Sequence, residues 1–283
     1  DEEPFTGGCH YTLGCTRYKE MCGSCPQLSS DREYDLSRFT WSEKQTLSRV
    51  KKFALIGSTD YLYESIRLSS LFRHSKLAKI PAPLSGGSYR ALDRDTARKV
   101  LQIPEDKTVI MAGAMSFHMP RKGMDLLKKA FSIVKEKRRA GGKGIEDILL
   151  LFVGRINRSW LDDLAMEYKE MGVIQSDTEL SLSYQASDLF VCPSLEDVGP
   201  MMISQSMLCG TPVVSFRIGI APELIINDET GYIVDNKNPE DLAEAIIKMI
   251  ESPSLSLMGD KAEKQASRHH DTGRIINEFK TLI

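Results

Sequence analysis

No apolar run in the sequence reaches the length a bilayer-crossing helix needs, so these residues offer no membrane span. An excess of charge of one sign is missing as well. Lys and Arg number 37 against 39 Asp and Glu, a formal net charge of −2, which removes any global electrostatic reason to expect a nucleic-acid partner. There is no internal repeat and no low-complexity tract, which leaves an ordinary globular chain. The start, Asp1-Glu2-Glu3, is the opposite of a basic signal-peptide region, so secretion is not expected. Histidine is scarce, and His118, His269 and His270 have no partners at metal-ligand spacing. What remains is 283 residues, 41% hydrophobic and 27% charged, enough for one large or two ordinary domains with real cores.

The six cysteines are unevenly placed. Cys192 and Cys209 sit in apolar surroundings and read as small buried hydrophobes. Cys9, Cys15, Cys22 and Cys25 crowd one segment, 9–25, that ends in Cys-x-x-Cys. This is half of the strong double-pair pattern of a thiolate zinc knuckle. Two disulfides, a redox pair at Cys22 and Cys25, or four free thiols are the competing readings; structural zinc is the one carried forward.

Ser42–Phe53 reads as a helix capped by Ser42, Ala54–Ser58 as a short strand, Asp60–Phe72 as an amphipathic helix, and Leu77–Leu84 as extended. These are too few elements to close an α/β domain. Ser85–Tyr89 (SGGSY) is the best linker, so residues 1–88 are separated from 89–252, with 253–283 a helical tail that has no obvious core of its own. From Lys107 strands and helices alternate. The expected strands are Val109–Gly113, Ile148–Val153, Val173–Ile174, Leu189–Cys192, Pro212–Phe216 and Gly231–Val234. Between and after them fall the expected helices Met124–Arg139, Leu161–Met171, Leu180–Ala186, the one starting at Pro200, Ala221–Ile226 and Asn238–Glu251. Near-continuously apolar strands alternating with amphipathic helices imply a parallel, doubly wound, Rossmann-like sheet covered on both faces.

In such a sheet ligands bind where strand carboxyl ends feed helix N-termini, because unpaired N–H groups and the helix dipole favour anions. Two loops qualify. Arg121-Lys122-Gly123 stands between the first strand of this domain and its first helix, and Glu196-Asp197-Val198-Gly199-Pro200 follows Leu189–Cys192. A phosphorylated ligand is the first expectation. Gln205 lies on the following helix among Met201, Met202, Met207 and Leu208; periodicity alone favours a surface position, and a ligand hydroxyl pair is the alternative. Trp160 and Tyr168 read as core or edge residues.

The run LFVCPSLEDVGPMMISQSMLCGTPVVSF, residues 189–216, resembles the signature of the GT-B retaining glycosyltransferases of family 4. That signature is a strand ending in Pro-Ser, an acid, a Gly/Pro loop, a Glu one helix turn in, and Cys-Gly-Thr-Pro-Val-Val. Arg121–Leu127 is similar to the family's Lys-Gly helix start, Leu151–Gly154 to its second strand, and Gly231–Val234 to its later Gly-Tyr strand. The segments Thr6–Tyr11 and Cys22–Leu28 resemble the subset that builds exopolysaccharides such as colanic acid.

The resemblance implies that residues 89–252 are the nucleotide-sugar-binding, C-terminal half of a GT-B enzyme, and 1–88 the closing part of an incomplete acceptor-side α/β domain. It gives Lys122 the donor diphosphate and Asp197 the sugar hydroxyls, as the catalytic pair. Arg121, Gly123 and Glu196 adjoin them, and the backbone of Val198, Gly199, Pro200, Met201 and Met202 meets the donor. Gln205 stands where the family has an acid on the ribose diol, and Ala114 where it has a phosphate-pairing Arg. The implied reaction moves a sugar from a UDP-, GDP- or ADP-linked donor to a glycan or lipid-linked acceptor with retention, using electrostatic stabilisation of the leaving diphosphate and no catalytic metal. The setting would be cytoplasmic polysaccharide biosynthesis, compatible with peripheral attachment at the inner membrane surface. Three alternatives stand beside it: a non-catalytic GT-B module that binds a nucleotide or a protein, a zinc-knuckle nucleic-acid protein, and an epimerase of the same fold class.

Overall fold

The computed structural model describes residues 1–48, 54–84, 87–91 and 93–282. The chain folds as two compact units. Unit 1 comprises Asp1–Pro83, Glu196–Gly199 and Thr272–Ile283; unit 2 comprises Leu84–Leu195 and Pro200–Asp271.

Unit 1 opens with short 3-10 turns and the cysteine segment, then α1 (Leu36–Ser48), β1 (Ala54–Gly57), α2 (Asp60–Leu68) and β2 (Lys76–Lys79). The helix expected from Ser42 therefore starts six residues earlier than the sequence suggests, while its expected end, 49–53, lies outside the described residues. The cause is a local cap. Asp35 Oδ1 accepts from Arg38 N at 3.1 Å, satisfying one of the free N–H groups of the first turn. Strands β1 and β2 pair in parallel as a two-stranded sheet. A small core of Phe5, Tyr18, Trp41, Ile66, Leu71 and Phe72 holds the unit together.

Unit 2 runs α3 (Arg94–Leu101), β3 (Thr108–Ser116), α4 (Met124–Ala140), β4 (Ile148–Arg155), α5 (Arg158–Asp162), β5 (Tyr168–Gly172), α6 (Asp177–Gln185), β6 (Leu189–Cys192), α7 (Met201–Leu208), β7 (Val213–Phe216), α8 (Ala221–Leu224), β8 (Gly231–Val234), α9 (Pro239–Ile250) and α10 (Leu255–His269). The six strands form one sheet in the order β5-β4-β3-β6-β7-β8, and every pairing is parallel. The central strands are buried along nearly their whole length, as an all-apolar pattern demands of a sheet covered on both faces. Helix α4 packs with α9, and α3, α6, α7 and α10 form a separate packed series. The expected α/β, doubly wound Rossmann-like fold is what the chain adopts.

One stretch departs from expectation. Leu161–Met171 is not a helix: α5 stops at Asp162, Ala165 takes a left-handed φ of 49°, and Tyr168–Gly172 becomes the edge strand β5, displacing the strand expected at Val173–Ile174. Pairing with β4, in the register Leu150↔Tyr168, outweighs the local helical period. The tail is helical and builds no core of its own. Met258, Ala262 and Ala266 of α10 are buried and join the unit 2 core, while α11 (Thr272–Leu282) groups with unit 1.

Candidate functional site

Strand β3 pairs with β4 on one side and β6 on the other, while the chain visits β4 and β5 before returning to β6. The crevice at the carboxyl ends of β3 and β6 is therefore a topological switch point, where this class of sheet binds ligands. After β3 the chain makes a 3-10 turn, Pro120–Lys122, closed by Lys122 N→Met119 O at 2.9 Å and Gly123 N→Pro120 O at 3.0 Å. Gly123, at φ +66°, then starts α4, and its O accepts from Leu127 N at 3.0 Å.

No other residue fits at 123, because a Cβ there would lie 1.9 Å from Pro193 O. The loop after β6 closes against the same turn, with Leu195 N donating to Arg121 O at 2.7 Å. Arg121, Lys122 and Gly123 are thus brought together with the Pro193–Leu195 segment. Lys122 and Arg121 are half-buried and directly precede the N-terminus of a 17-residue helix, where unpaired N–H groups and the dipole favour an anion. Beside this turn lies a cavity of about 300 Å³ lined by Phe117, His118, Pro120, Gly123, Trp160 and Leu195. Trp160 sits edge-on to Phe117 and Phe152 at 5.2 and 5.4 Å, a half-buried edge residue as its sequence context suggests.

Pro200 is the N-cap of α7 rather than its first helical residue, with extended backbone at φ −64°, ψ 103°. Lacking an N–H, it cannot add a free donor at this helix start. Met202 lies against β3 at Gly113, where a Cβ would come within 2.5 Å of its Cε, and Met201 is exposed. Gln205 is half-buried, not a surface residue: Tyr184 donates its hydroxyl hydrogen to Gln205 Oε1 at 3.2 Å. Tyr184 is fully buried and burial pushes its hydroxyl pKa far up, so it stays a proton donor. Oε1 keeps a second lone pair and the amide nitrogen two hydrogens, so Gln205 can still meet a ligand hydroxyl, as a weaker acceptor than the acid the resemblance implies. Ala114 is buried in β3, opposite Gly154.

The four residues Glu196–Gly199 belong to unit 1. Glu196 Oε1 accepts from Leu13 N at 2.9 Å and Thr12 Oγ1 at 3.3 Å. Asp197 is 7% exposed and its Oδ1 accepts from Gly199 N at 3.3 Å. Val198 O accepts from Thr59 Oγ1 at 2.8 Å. Thr12, Leu13 and Thr59 were not legible as loop partners, because nothing local links them to residues more than a hundred positions away.

Cys9, Cys15, Cys22 and Cys25 are free thiols in unit 1. Burial pushes the Cys9 thiol up to about 11, helped by the nearby Cys25, Cys22 and Cys15, so the spacing does gather the four. Proximity is not coordination. Among the described residues no three His, Cys, Asp or Glu side chains form a metal-holding group, and Cys22 packs into the small core. Cys192 and Cys209 are buried as expected, and burial pushes the Cys209 thiol up to about 11.

Residues 93–268 match the family model of the glycosyl transferases group 1. A D-inositol 3-phosphate glycosyltransferase of Segniliparus rotundus is 26% identical over 205 residues, covering 68% of this chain and 43% of that protein. The sulfoquinovosyl transferase of Arabidopsis thaliana is 31% identical over 149 residues, 52% of this chain and 26% of the relative. Two solved structures share the fold. Sucrose-phosphate synthase from Thermosynechococcus elongatus superposes with a TM-score of 0.73 at 20% identity, over 96% of this chain and 65% of that one. Anabaena HepE, in complex with UDP and glucose, gives 0.65 at 20% identity, over 84% and 66%. The chain spans less than half the length of both these curated relatives. With a family match over more than half of its residues, and the switch-point architecture above, the chain belongs to the group 1 glycosyltransferases of GT-B fold.

Proposed function

We propose that this chain is the donor-binding part of a retaining glycosyltransferase that moves a sugar from a nucleoside diphosphate to a glycan or lipid-linked acceptor in polysaccharide biosynthesis. The observation that carries the reading is the cradle at the switch point. Gly123 opens α4 under Pro193 O, Leu195 N closes on Arg121 O, and Lys122 stands at the helix N-terminus. Such a site stabilises negative charge building on a departing diphosphate, with Lys122 as a point charge and the first-turn N–H groups as fixed donors. Asp197 is assigned to the sugar hydroxyls. HepE binds UDP and glucose on the same fold, which supports a nucleotide sugar as ligand here.

Titration calorimetry with UDP, GDP and ADP tests this. One of them should give saturable heat, and Lys122→Ala should weaken its binding at least about tenfold, the loss of one charge-assisted contact. Absence of heat with all three would overturn the donor reading. It would instead favour the second reading, a GT-B module that binds protein, for which the buried Ala114 and an amide at Gln205 in place of a carboxylate speak.

A further inference from the structure

Thr59 precedes α2 with extended backbone, φ −135°, ψ 161°, and its side-chain oxygen accepts from Leu62 N at 3.1 Å, an ordinary N-cap. A hydroxyl has one hydrogen to give besides. Thr59 gives it to Val198 O at 2.8 Å, so this small side chain is used in both senses. The carbonyl it grips belongs to the peptide unit that also carries the Gly199 N–H. That N–H donates to Asp197 Oδ1 at 3.3 Å. One planar peptide is therefore held at both ends, by Thr59 on its oxygen and by Asp197 on its nitrogen. The fit is close: a Cβ on Gly199 would stand 3.3 Å from Thr59 Cγ2, so the glycine lets the loop approach the threonine. At the other end of the loop Glu196 is tied to Thr12 and Leu13.

We infer that Thr59 is a positioning residue for Asp197. By fixing the Val198–Gly199 peptide it fixes the direction of the N–H that orients the Asp197 carboxylate, and hence the acid presented to the donor sugar. The role rests on the reading of Glu196–Gly199 as the donor-sugar loop; the clamp itself does not. A residue acting this way touches neither base nor diphosphate, so its loss should separate sugar recognition from nucleotide recognition.

The test uses the full chain and three substitutions. Thr59→Ser keeps both hydrogen bonds, Thr59→Val removes both, and Thr59→Asp keeps a cap acceptor but has no proton to donate to Val198 O. Hydrogen exchange read by mass spectrometry should show the 196–200 segment exchanging about tenfold faster in the Val and Asp variants than in wild type or the Ser variant. Calorimetry with UDP and UDP-glucose, or GDP and GDP-mannose if guanine is the base selected, supplies the second readout. Thr59→Val should bind the free diphosphate within about twofold of wild type and the nucleotide sugar about three- to tenfold more weakly, with Thr59→Ser restoring it. Unchanged exchange, or equal loss for diphosphate and nucleotide sugar, overturns the inference and leaves Thr59 a helix cap. A wild-type chain that binds neither ligand overturns the donor-loop reading and the positioning role with it. Normal wild-type binding with unaltered variants overturns the positioning role alone.

Discussion

Asp35 shows how much one side chain decides in unit 1. Its Oδ1 accepts from Ser37 Oγ at 2.6 Å and Arg38 N at 3.1 Å, and its Oδ2 from Cys25 N at 2.7 Å. Desolvation works against the charged form, but the hydrogen bonds from Ser37, Cys25 and Arg38 outweigh it and hold the carboxyl well below the usual range. The sign of the linkage follows. The folded pKa is depressed, so the stabilisation is present above the unfolded value of about 4 and is lost as pH falls below it towards the folded value. Acid unfolding of Asp35→Asn, followed by circular dichroism from neutral pH to about pH 2, should therefore start from lower stability and decline less steeply below about pH 4. A wild-type slope in the variant would remove Asp35 from the acid response. Gln205 is the residue-scale lesson in legibility. Its type and position were plain, yet that Tyr184 takes its carbonyl could be learned only from the packing of α6 against α7.

At the scale of elements, those whose punctuation is local were legible. Gly231–Val234 is found as expected, and α9 begins at Pro239 with Asn238 accepting from Asp241 N at 2.8 Å. Strand β5 was not, because Leu161–Met171 has a helical apolar rhythm and only the unpaired edge of β4 makes a strand the better use of it. The start of α4 was legible for a reason that a substitution can check. Gly123→Ala places a β-carbon on a left-handed backbone, costing about 1–3 kcal/mol, and drives it into Pro193 O. The thermal midpoint should fall by at least about 5 °C. A fall of under about 1 °C would mean that the two loops are not locked as described.

At the scale of the whole molecule, each unit has its own core, and the two differ in size. Unit 1 rests on a handful of buried side chains around Phe5 and Trp41; unit 2 has a core running from Leu84 to Ala266 across all six strands. Local opening free energy follows the amount of apolar surface packed away from water. Amides of α1, β1 and β2 should accordingly exchange at least about tenfold faster than those of β3, β4 and β6 in native-state hydrogen exchange. Equal protection across the two would contradict this difference. The division also does not follow a single cut of the chain. The chain returns to unit 1 for Glu196–Gly199 and again from Thr272, and no composition shift marks either return.

By itself the sequence determined the fold class and the place of the candidate site. Apolar strands alternating with amphipathic helices permit few arrangements other than a covered parallel sheet, and glycine and proline mark where its loops meet helices. Tertiary structure alone decided what each side chain at that site faces. Glu196 turns to Leu13, Val198 O to Thr59, Gln205 Oε1 to Tyr184, and Cys22 into the small core of unit 1. The physical reason is range. Periodicity and capping are written within a few residues, whereas a hydrogen bond between residues 59 and 198 exists only after the chain has folded.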